Sequence, residues 1–308
     1  MRILAPLVAL AAVTAVTGCV HASPSAPPPV RSELLLSVAE AAPLVARPGV
    51  VVLQVERDSA TFARGHIAGA RFLPLSAIVI ERDGIPNELP PPARLDSTFR
   101  RVGITGRERV ILVGEPLWAT RGFFTLDYLG HPSVALLDGG MTAWRRAGHP
   151  VEQGGARPLP TESIPRAPSL LAPDTGRIVD AIYVLNHIRH PRVTLVDARP
   201  DAEFTGKTPG DAVVRGGHIP GAAHLFWRTL MQSDTVPLMK DTTALRAIFA
   251  GAGVEPGDSV VTYCRTGIMA SYAYFAARYM GYPVRMYDGS FVEWSRNPAY
   301  PVERPKAQ

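Results

Sequence analysis

The sequence VVTYCRTGIMAS, residues 260–271, changes from a strand pattern to a helix pattern with a cysteine at the boundary. The apolar, β-branched run before Cys264 predicts a buried strand, and the residues after Gly267 predict the start of a helix. Backbone N–H groups and the positive end of the helix dipole favour an anion at such a boundary, and Arg265 adds a fixed positive charge. A thiol held there has a lowered pKa and is a nucleophilic thiolate. We therefore predict that Cys264 is a catalytic nucleophile; the alternative is a small buried hydrophobic residue.

Composition limits the class of protein. The chain has 308 residues, a length that suits two domains, and its apolar fraction of 46% is enough for a core in each. Lys and Arg number 32 against 27 Asp and Glu, but the positive residues are scattered and form no basic stripe, so we expect no nucleic-acid partner. The two cysteines, Cys19 and Cys264, exclude a disulfide framework and a cysteine-rich zinc site.

The N-terminal segment has the pattern of a processed signal. Arg2 is followed over residues 3–16 by a nearly continuous apolar run. This run is shorter than the ~20 residues that span a bilayer, but it fits the core of a signal peptide. It ends in Val-Thr-Gly-Cys at residues 16–19, which resembles the bacterial lipobox. At a lipobox the signal peptidase cleaves before the cysteine, here Cys19, and lipid is attached to its sulfur.

We therefore predict a lipoprotein signal peptide over residues 1–18, lipidation of Cys19 and a Pro-rich tether over residues 19–33. The alternative is an ordinary secretory signal with an incidental cysteine. The lipidated form would lie in the cell envelope, anchored to a membrane on the periplasmic side, and Val20 after the cysteine favours the outer membrane.

Four motifs of the first half return in the second half at a separation of about 150 residues. They are GHIAGA and GHIPGA at 65–70 and 217–222, VILV and VVTY at 110–113 and 260–263, YLGHP and YMGYP at 128–132 and 279–283, and LDGG and YDGS at 137–140 and 287–290. We predict two copies of one domain over residues 34–153 and 170–308, joined by a linker over residues 154–169.

Each half alternates strand and helix patterns. In the second half, strand patterns at 193–197, 259–263 and 284–287 alternate with helix patterns at 180–187, 242–252 and 268–280. This alternation predicts the α/β fold class, with a mostly parallel sheet flanked by helices in each half. Active sites of such folds lie at the carboxyl ends of the strands, which is where Cys264 falls.

The repeat also provides an internal comparison for the cysteine. Gly114 and Glu115 stand in the first half where the second has Cys264 and Arg265. We therefore predict one catalytic copy and one silent copy.

The second half carries four motifs in a set order: LVDAR with EFTG at 195–199 and 203–206, GHIPGA at 217–222, CRTG at 264–267, and YDGS at 287–290 followed by Trp294. Together they resemble those of a tandem-domain rhodanese, that is, a thiosulfate or 3-mercaptopyruvate sulfurtransferase. The resemblance covers residues 34–303. It implies two rhodanese-like domains and the transfer of sulfane sulfur.

The resemblance implies a two-step transfer through Cys264. The thiolate attacks the outer sulfur of a small anionic donor such as thiosulfate, sulfite leaves, and a persulfide remains until cyanide or a thiol acceptor takes the sulfur. The substrate-binding loop would comprise Arg265, Thr266, Gly267, Ile268, Met269 and Ala270, with amides that hold the negative charge and a guanidinium that holds the donor's sulfonate. This chemistry requires no cofactor and no metal.

Other polar residues of the motifs receive separate interpretations. Arg199, Glu203 and Arg215 are candidates for lining the cleft. Structural roles are predicted for three pairs: His66 and His218 in glycine-flanked turns, Asp138 and Asp288 as turn-formers, and Trp144 and Trp294 as core anchors.

Donor type and rival activities follow from the loop residues. A cation directly after the cysteine, here Arg265, resembles the thiosulfate type. Thr266, however, stands where the animal thiosulfate enzymes have a second cation, and Met269 replaces a hydroxyl residue often found in the loop. A related phosphatase would need an arginine at position 270, which is Ala270.

The alternative that the sequence leaves open is a lipid-anchored sulfur carrier or binding module, which passes its persulfide to a specific protein partner. A third alternative is a structural protein with a vestigial loop.

Overall fold

The protein, described by a computed structural model over residues 26–156 and 171–305, consists of two α/β halves. Each half contains a five-stranded sheet in which all neighbouring strands are parallel. The predicted fold class is confirmed, because each sheet is flanked by the helices that connect its strands.

The elements of the first half follow one another along the chain. The strands are β1 (Leu35–Leu36), β2 (Val50–Glu56), β3 (His66–Ile67), β4 (Arg71–Pro74), β5 (Ile80–Arg82), β6 (Ile85–Glu88), β7 (Arg109–Gly114), β8 (Val134–Leu137) and β9 (Val151–Glu152). The helices are α1 (Val38–Ala41), α2 (Ser59–Arg64), α3 (Pro92–Arg101), α4 (Pro116–Tyr128) and α5 (Gly140–Arg146). Strands β5 and β6 form an antiparallel hairpin, and β3 pairs with β9.

The second half repeats the order of the five sheet strands and the five helices. Its strands are β10 (Ile178–Val179), β11 (Val193–Asp197), β12 (Ala223–His224), β13 (Ser259–Tyr263) and β14 (Val284–Tyr287). Its helices are α6 (Ala181–Asn186), α7 (Asp201–Phe204), α8 (Thr242–Gly251), α9 (Ile268–Tyr279) and α10 (Ser290–Arg296). All six elements predicted in this half are present, with ends that differ by at most a residue or so.

Strand order places the cysteine at the centre of the second sheet. The order is β10-β14-β13-β11-β12, and β13 pairs with β11 from Val193↔Ser259 to Asp197↔Tyr263. The first sheet has the equivalent order β1-β8-β7-β2-β4, with β7 at its centre. Cys264 and Gly114 thus mark the carboxyl ends of the two central strands, where α/β folds bind ligands.

Helix starts differ in a way that matters for the site. Asp58, Asp180 and Asp241 accept hydrogen bonds from backbone N–H groups in the first turns of α2, α6 and α8. Helix α9, by contrast, begins after Gly267 without a side-chain cap. Its first N–H groups therefore remain available to a group outside the helix.

Helices α4 and α9 join the two halves. The rings of Phe123 and Phe275 meet edge to face at 4.8 Å between centroids, and those of Phe124 and Tyr274 at 5.0 Å. One apolar core runs through both helices and reaches Cys264. Residues of the first half can therefore support the loop in the second.

Two aspartates make equivalent contacts across this interface. Asp288 accepts a hydrogen bond from the backbone N–H of Leu89 at 2.6 Å, and Asp138 accepts one from the backbone N–H of Met239 at 2.8 Å. Both aspartates follow the last strand positions of their repeat, as predicted for turn-formers. Their carboxylates do more than the prediction assigned, because each one ties its own half to the other.

Part of the predicted tether lies on the second half. Arg246 donates to the carbonyl of Pro28 at 2.9 Å, and the backbone N–H of Arg31 donates to the carbonyl of Tyr279 at 2.8 Å. The signal peptide, Cys19 and most of the linker lie outside the described residues. Within the described part of the chain, no helix has the length and apolar character needed to cross a membrane.

Candidate active site

Cys264 follows β13 directly and is completely buried. The backbone N–H groups of Thr266, Gly267 and Ala270 face its sulfur and stabilise the thiolate. Loop amides were expected around this sulfur, and these three face it. They are the groups that would hold a negatively charged sulfur species.

Burial nevertheless dominates the titration of this thiol. It raises the pKa of Cys264 above the ordinary cysteine value, the facing N–H groups lower it, and the Asp197 carboxylate raises it further. The expected lowering of this pKa is therefore wrong. The helix start and the amides are present, but the sulfur has no exposure to water, which disfavours its charged form.

The direction of this shift predicts a reactivity profile. The thiol should be mostly neutral at neutral pH, so its alkylation rate by iodoacetamide should rise about tenfold per pH unit and still be rising above the usual thiol range near pH 8.5. The measurement uses the Cys19→Ser chain, in which Cys264 is the only thiol. A rate that levels off below neutral pH would mean that the amides outweigh burial.

The start of α10 fixes the loop from behind. Backbone N–H groups of Phe291 and Val292 donate to the carbonyls of Cys264 and Arg265 at 3.0 and 3.1 Å. The N–H of Cys264 donates to the hydroxyl of Ser290 at 3.3 Å. Ser290 belongs to the YDGS motif, but its contact with the loop was not predicted.

The middle of the loop contacts the first half. The side-chain amide of Asn87 donates to the Thr266 hydroxyl at 3.0 Å. Gly267 has a φ of +83°, and a Cβ there would lie 2.8 Å from Asp288 Oδ1 and 3.1 Å from Arg121 Nη1. The backbone conformation and the lack of space both require glycine. Asn87 and Arg121 were missed because no local sequence signal links them to the cysteine.

The last three predicted loop residues belong to α9. Ile268 and Ala270 are buried in the core and Met269 packs against it. Any contact of Ile268 or Ala270 with a substrate anion would therefore come from main-chain groups. The backbone N–H of Ala270 already faces the sulfur.

Arg265 and Glu203 are brought together at the edge of the site. Arg265 Nη1 lies 3.7 Å from Glu203 Oε1 and 4.0 Å from Asp211 Oδ2, and the Arg265 side chain is 30% exposed. Burial raises the pKa of Glu203, while the guanidinium groups of Arg265 and Arg199 lower it. Two carboxylates therefore offset part of the positive charge that the sequence assigned to this position.

Arg199 forms a buried ion pair with Asp197. Its Nε lies 2.9 Å from Asp197 Oδ1, its Nη2 donates to the carbonyl of Gly217 at 2.8 Å, and its guanidinium carbon lies 4.0 Å from the ring centre of Phe291. Of the three guanidinium nitrogens of Arg199, Nη1 alone has no hydrogen-bond partner within the part of the chain that the structure describes. One donor is thus left for a ligand, and a role in the cleft stays a prediction.

Arg215 has a different environment from the one predicted. Its guanidinium donates to the carbonyls of Trp294, Ser295, Asn297 and Tyr300. These carbonyls lie at and just after the end of α10, where a cation is favourable. We therefore assign Arg215 to the stabilisation of this helix end and no longer to the cleft.

The histidines and tryptophans of the repeat have structural contacts, as predicted. Nδ1 of His66 and of His218 lies 3.1 and 3.0 Å from a main-chain carbonyl, and each ring stacks on a phenylalanine. Trp144 and Trp294 are buried and donate to the carbonyls of prolines. Among residues 26–156 and 171–305, no group of three or more His, Cys, Asp or Glu side chains is placed to hold a metal ion.

The corresponding loop of the first half has Gly114 in place of the thiol and Glu115 in place of the arginine. A cleft of about 520 Å³ lies beside Gly114 and Glu115 and is lined by both halves. Burial raises the pKa of Glu115, and the Arg228 and Arg57 guanidinium groups lower it. A carboxylate at the start of α4 repels an anionic donor, which fits the prediction of a silent copy.

The chain is similar to known proteins over most of its length. The family model of the rhodanese-like domain matches residues 37–147 and again residues 180–297. The sulfur carrier protein TtuD of Thermus thermophilus is 31% identical over an alignment of 277 residues, which covers 83% of this chain and 92% of that protein. The thiosulfate sulfurtransferase of Azotobacter vinelandii is 29% identical, covering 86% of this chain and 96% of its own. The 3-mercaptopyruvate sulfurtransferase of Escherichia coli K12 is also 29% identical, with coverages of 84% and 89%.

Among solved structures, that of YnjE superposes with a TM-score of 0.74 and 26% sequence identity. The match covers 85% of this chain but 65% of the YnjE chain, so the present protein spans less than two thirds of it. The family model matches both halves of the chain, and the relatives that match over most of their length include sulfurtransferases. The chain belongs to the rhodanese family of sulfurtransferases and contains the rhodanese-like domain twice in tandem.

Proposed function

We propose that the protein transfers sulfane sulfur through a persulfide on Cys264. The observation that carries this proposal is the arrangement of three backbone N–H groups, those of Thr266, Gly267 and Ala270, around a sulfur at the end of β13. Such a site stabilises an anionic sulfur without a cation, a metal or a second catalytic side chain. The family membership supports sulfur transfer as the reaction.

The chemistry proceeds in two displacements. Cys264 loses its proton, and the thiolate attacks the outer sulfur of thiosulfate. A sulfur–sulfur bond forms while the bond to the sulfonate sulfur breaks, and sulfite leaves with the electron pair. Cyanide or a thiolate then attacks the outer persulfide sulfur, which regenerates the Cys264 thiolate.

We further propose that thiosulfate is the donor, with 3-mercaptopyruvate as the alternative. Arg265 supports thiosulfate because its guanidinium sits at the edge of the site, partly exposed, where it can pair with a sulfonate. Glu203 would then release or share that guanidinium when the donor enters. Relatives of both donor types match at the same identity, so the donor is decided by experiment.

Intact-mass spectrometry of the full chain tests this proposal. Thiosulfate should add the mass of one sulfur atom, and cyanide should remove it. A gain with mercaptopyruvate alone would keep the reaction class and overturn the donor. No gain with either donor would contradict turnover with free small molecules.

A second candidate function is that of a sulfur carrier, in which the persulfide passes to a specific protein acceptor. The complete burial of Cys264 favours it, because a buried persulfide is protected from free thiols. The relative named as a sulfur carrier protein also supports it. A persulfide that forms with thiosulfate but resists free cyanide would favour the carrier over the free-standing enzyme.

We also propose that Cys19 carries the lipid that holds the protein in the cell envelope, on the periplasmic side. The support is the sequence pattern around residues 16–19. The mass of the mature N-terminal peptide tests it, since an unmodified Met1 or a cleaved, unlipidated end would contradict the anchor.

A further inference from the structure

The first half places a buried cation against the catalytic loop of the second. Arg121, on α4, has a completely buried side chain. Its Nη1 donates to Asp288 Oδ1 at 2.7 Å, and its Nη2 donates to the carbonyl of Asn87 at 2.6 Å. A buried ion pair often stabilises a fold no more than apolar residues of the same volume would, so stability alone gives a weak reason for this pair.

Both partners of Arg121 touch the loop. Asn87, held through its carbonyl, donates its side-chain amide to the Thr266 hydroxyl at 3.0 Å. Asp288 lies so close to Gly267 that a Cβ there would be 2.8 Å from its Oδ1. Thr266 and Gly267 are two of the three residues whose N–H groups face the Cys264 sulfur.

The silent side of the interface lacks this cation. Asp138 accepts the Met239 N–H as Asp288 accepts that of Leu89. The position of α9 that corresponds to Arg121, however, is Tyr272. The exchange of aspartate contacts is therefore common to both sides. Among the described residues, a guanidinium pairs with the aspartate on the side of the thiol loop, through Arg121 and Asp288, and none pairs with Asp138.

We infer that Arg121 is a positioning residue, through which the silent half keeps the N–H groups of Thr266 and Gly267 directed at the Cys264 sulfur. The inference rests on the proposed function of Cys264. It gives the first half a role in the reaction. The start of α10 holds the loop within its own half, and Arg121 and Asn87 of the first half contact Asp288 and Thr266 on the other side of the loop.

Four variants in the full Cys19→Ser chain test this inference. Arg121→Lys keeps the charge but loses the two-pronged contact, and Arg121→Met with Asp288→Asn removes both charges together, so that neither is left buried alone. Asn87→Gly removes only the bond to Thr266 and tolerates the residue's φ of +66°. Asp138→Asn is the matched control, because it weakens the equivalent contact on the silent side.

Two rates are measured beside the melting temperature: persulfide formation from thiosulfate, and alkylation of Cys264 by iodoacetamide. The alkylation rate reports the thiolate, on which the Asp197 carboxylate also acts. We expect both rates to fall about tenfold in Arg121→Lys and about a hundredfold in the double variant, with a smaller fall in Asn87→Gly. Asp138→Asn should react at the rate of the parent chain.

Folded Arg121 variants that react at the parent rate would overturn the inference, as would an equal loss in Asp138→Asn. If the double variant does not fold, Asn87→Gly and Arg121→Lys decide, since neither leaves an unpaired buried charge. Alkylation needs no sulfur donor. A parent chain that forms no persulfide would therefore contradict the proposed function, while the alkylation rates would still decide the role of Arg121.

Discussion

Replacing Cys264 with serine is expected to abolish persulfide formation and to lower sulfur transfer at least about 1,000-fold. The hydroxyl is a far weaker nucleophile toward sulfur and cannot form a persulfide. The fold should persist, because serine is nearly isosteric and the N–H groups of Thr266, Gly267 and Ala270 face this position and can donate to its oxygen. Intact mass after thiosulfate and the melting temperature are the two measurements.

Cys19→Ser is the matched control, because Cys19 is the chain's only other cysteine. It should gain one sulfur atom from thiosulfate and lose it to cyanide as the parent chain does. A sulfur gain that survives in Cys264→Ser and disappears in Cys19→Ser would assign the persulfide to Cys19. It would contradict the site described above.

Local patterns of the sequence were sufficient for the fold of the second half. Runs such as residues 259–263 and 193–197 are apolar and bounded by turn residues, and they are the adjacent strands β13 and β11. The repeat then extended the same architecture to the first half. Strand order and the short edge strands β10 and β12 could not be predicted, because two-residue strands have no periodicity.

In the site, too, local properties were predicted from the sequence, whereas properties that depend on tertiary packing were not. The position of Cys264 at the end of a strand and before a helix is a local property, and the sequence predicted it. The burial of Cys264 depends on the packing of both halves, so the direction of the shift in its pKa was predicted wrongly. Arg215 was likewise assigned to the cleft because a charge near a motif cannot be distinguished from one that caps a helix end.

The role of the first half was also beyond the sequence. Arg121 lies within an apolar helix pattern, and Asn87 lies in a short hairpin, and neither is near Cys264 along the chain. Their contacts with the loop arise because α4 and α9 pack against each other and bring the first half against the loop of the second. A comparison of Arg121 with Tyr272 across the repeat was the one available signal, since it is a charge difference inside a matched helix.

Gly267→Ala is expected to lower the rate of persulfide formation about a hundredfold. At a φ of +83° an alanine costs about 1–2 kcal/mol of backbone strain. Its Cβ would also stand 2.8 Å from Asp288 Oδ1 and 3.1 Å from Arg121 Nη1. Because those two groups are buried and paired, the loop must move instead, and the N–H of residue 267 turns away from the sulfur.

Gly253→Ala is the control that separates the effect of backbone strain from the effect of moving the loop. Gly253 has a φ of +76° at the end of α8, and a Cβ there would meet no atom within 4 Å. It should therefore lose about the same 1–2 kcal/mol of stability from the backbone while keeping the parent rate of persulfide formation. An equal loss of rate in the two variants would trace the effect to general destabilisation. A loss confined to Gly267→Ala would show that the reaction depends on where the loop holds its N–H groups.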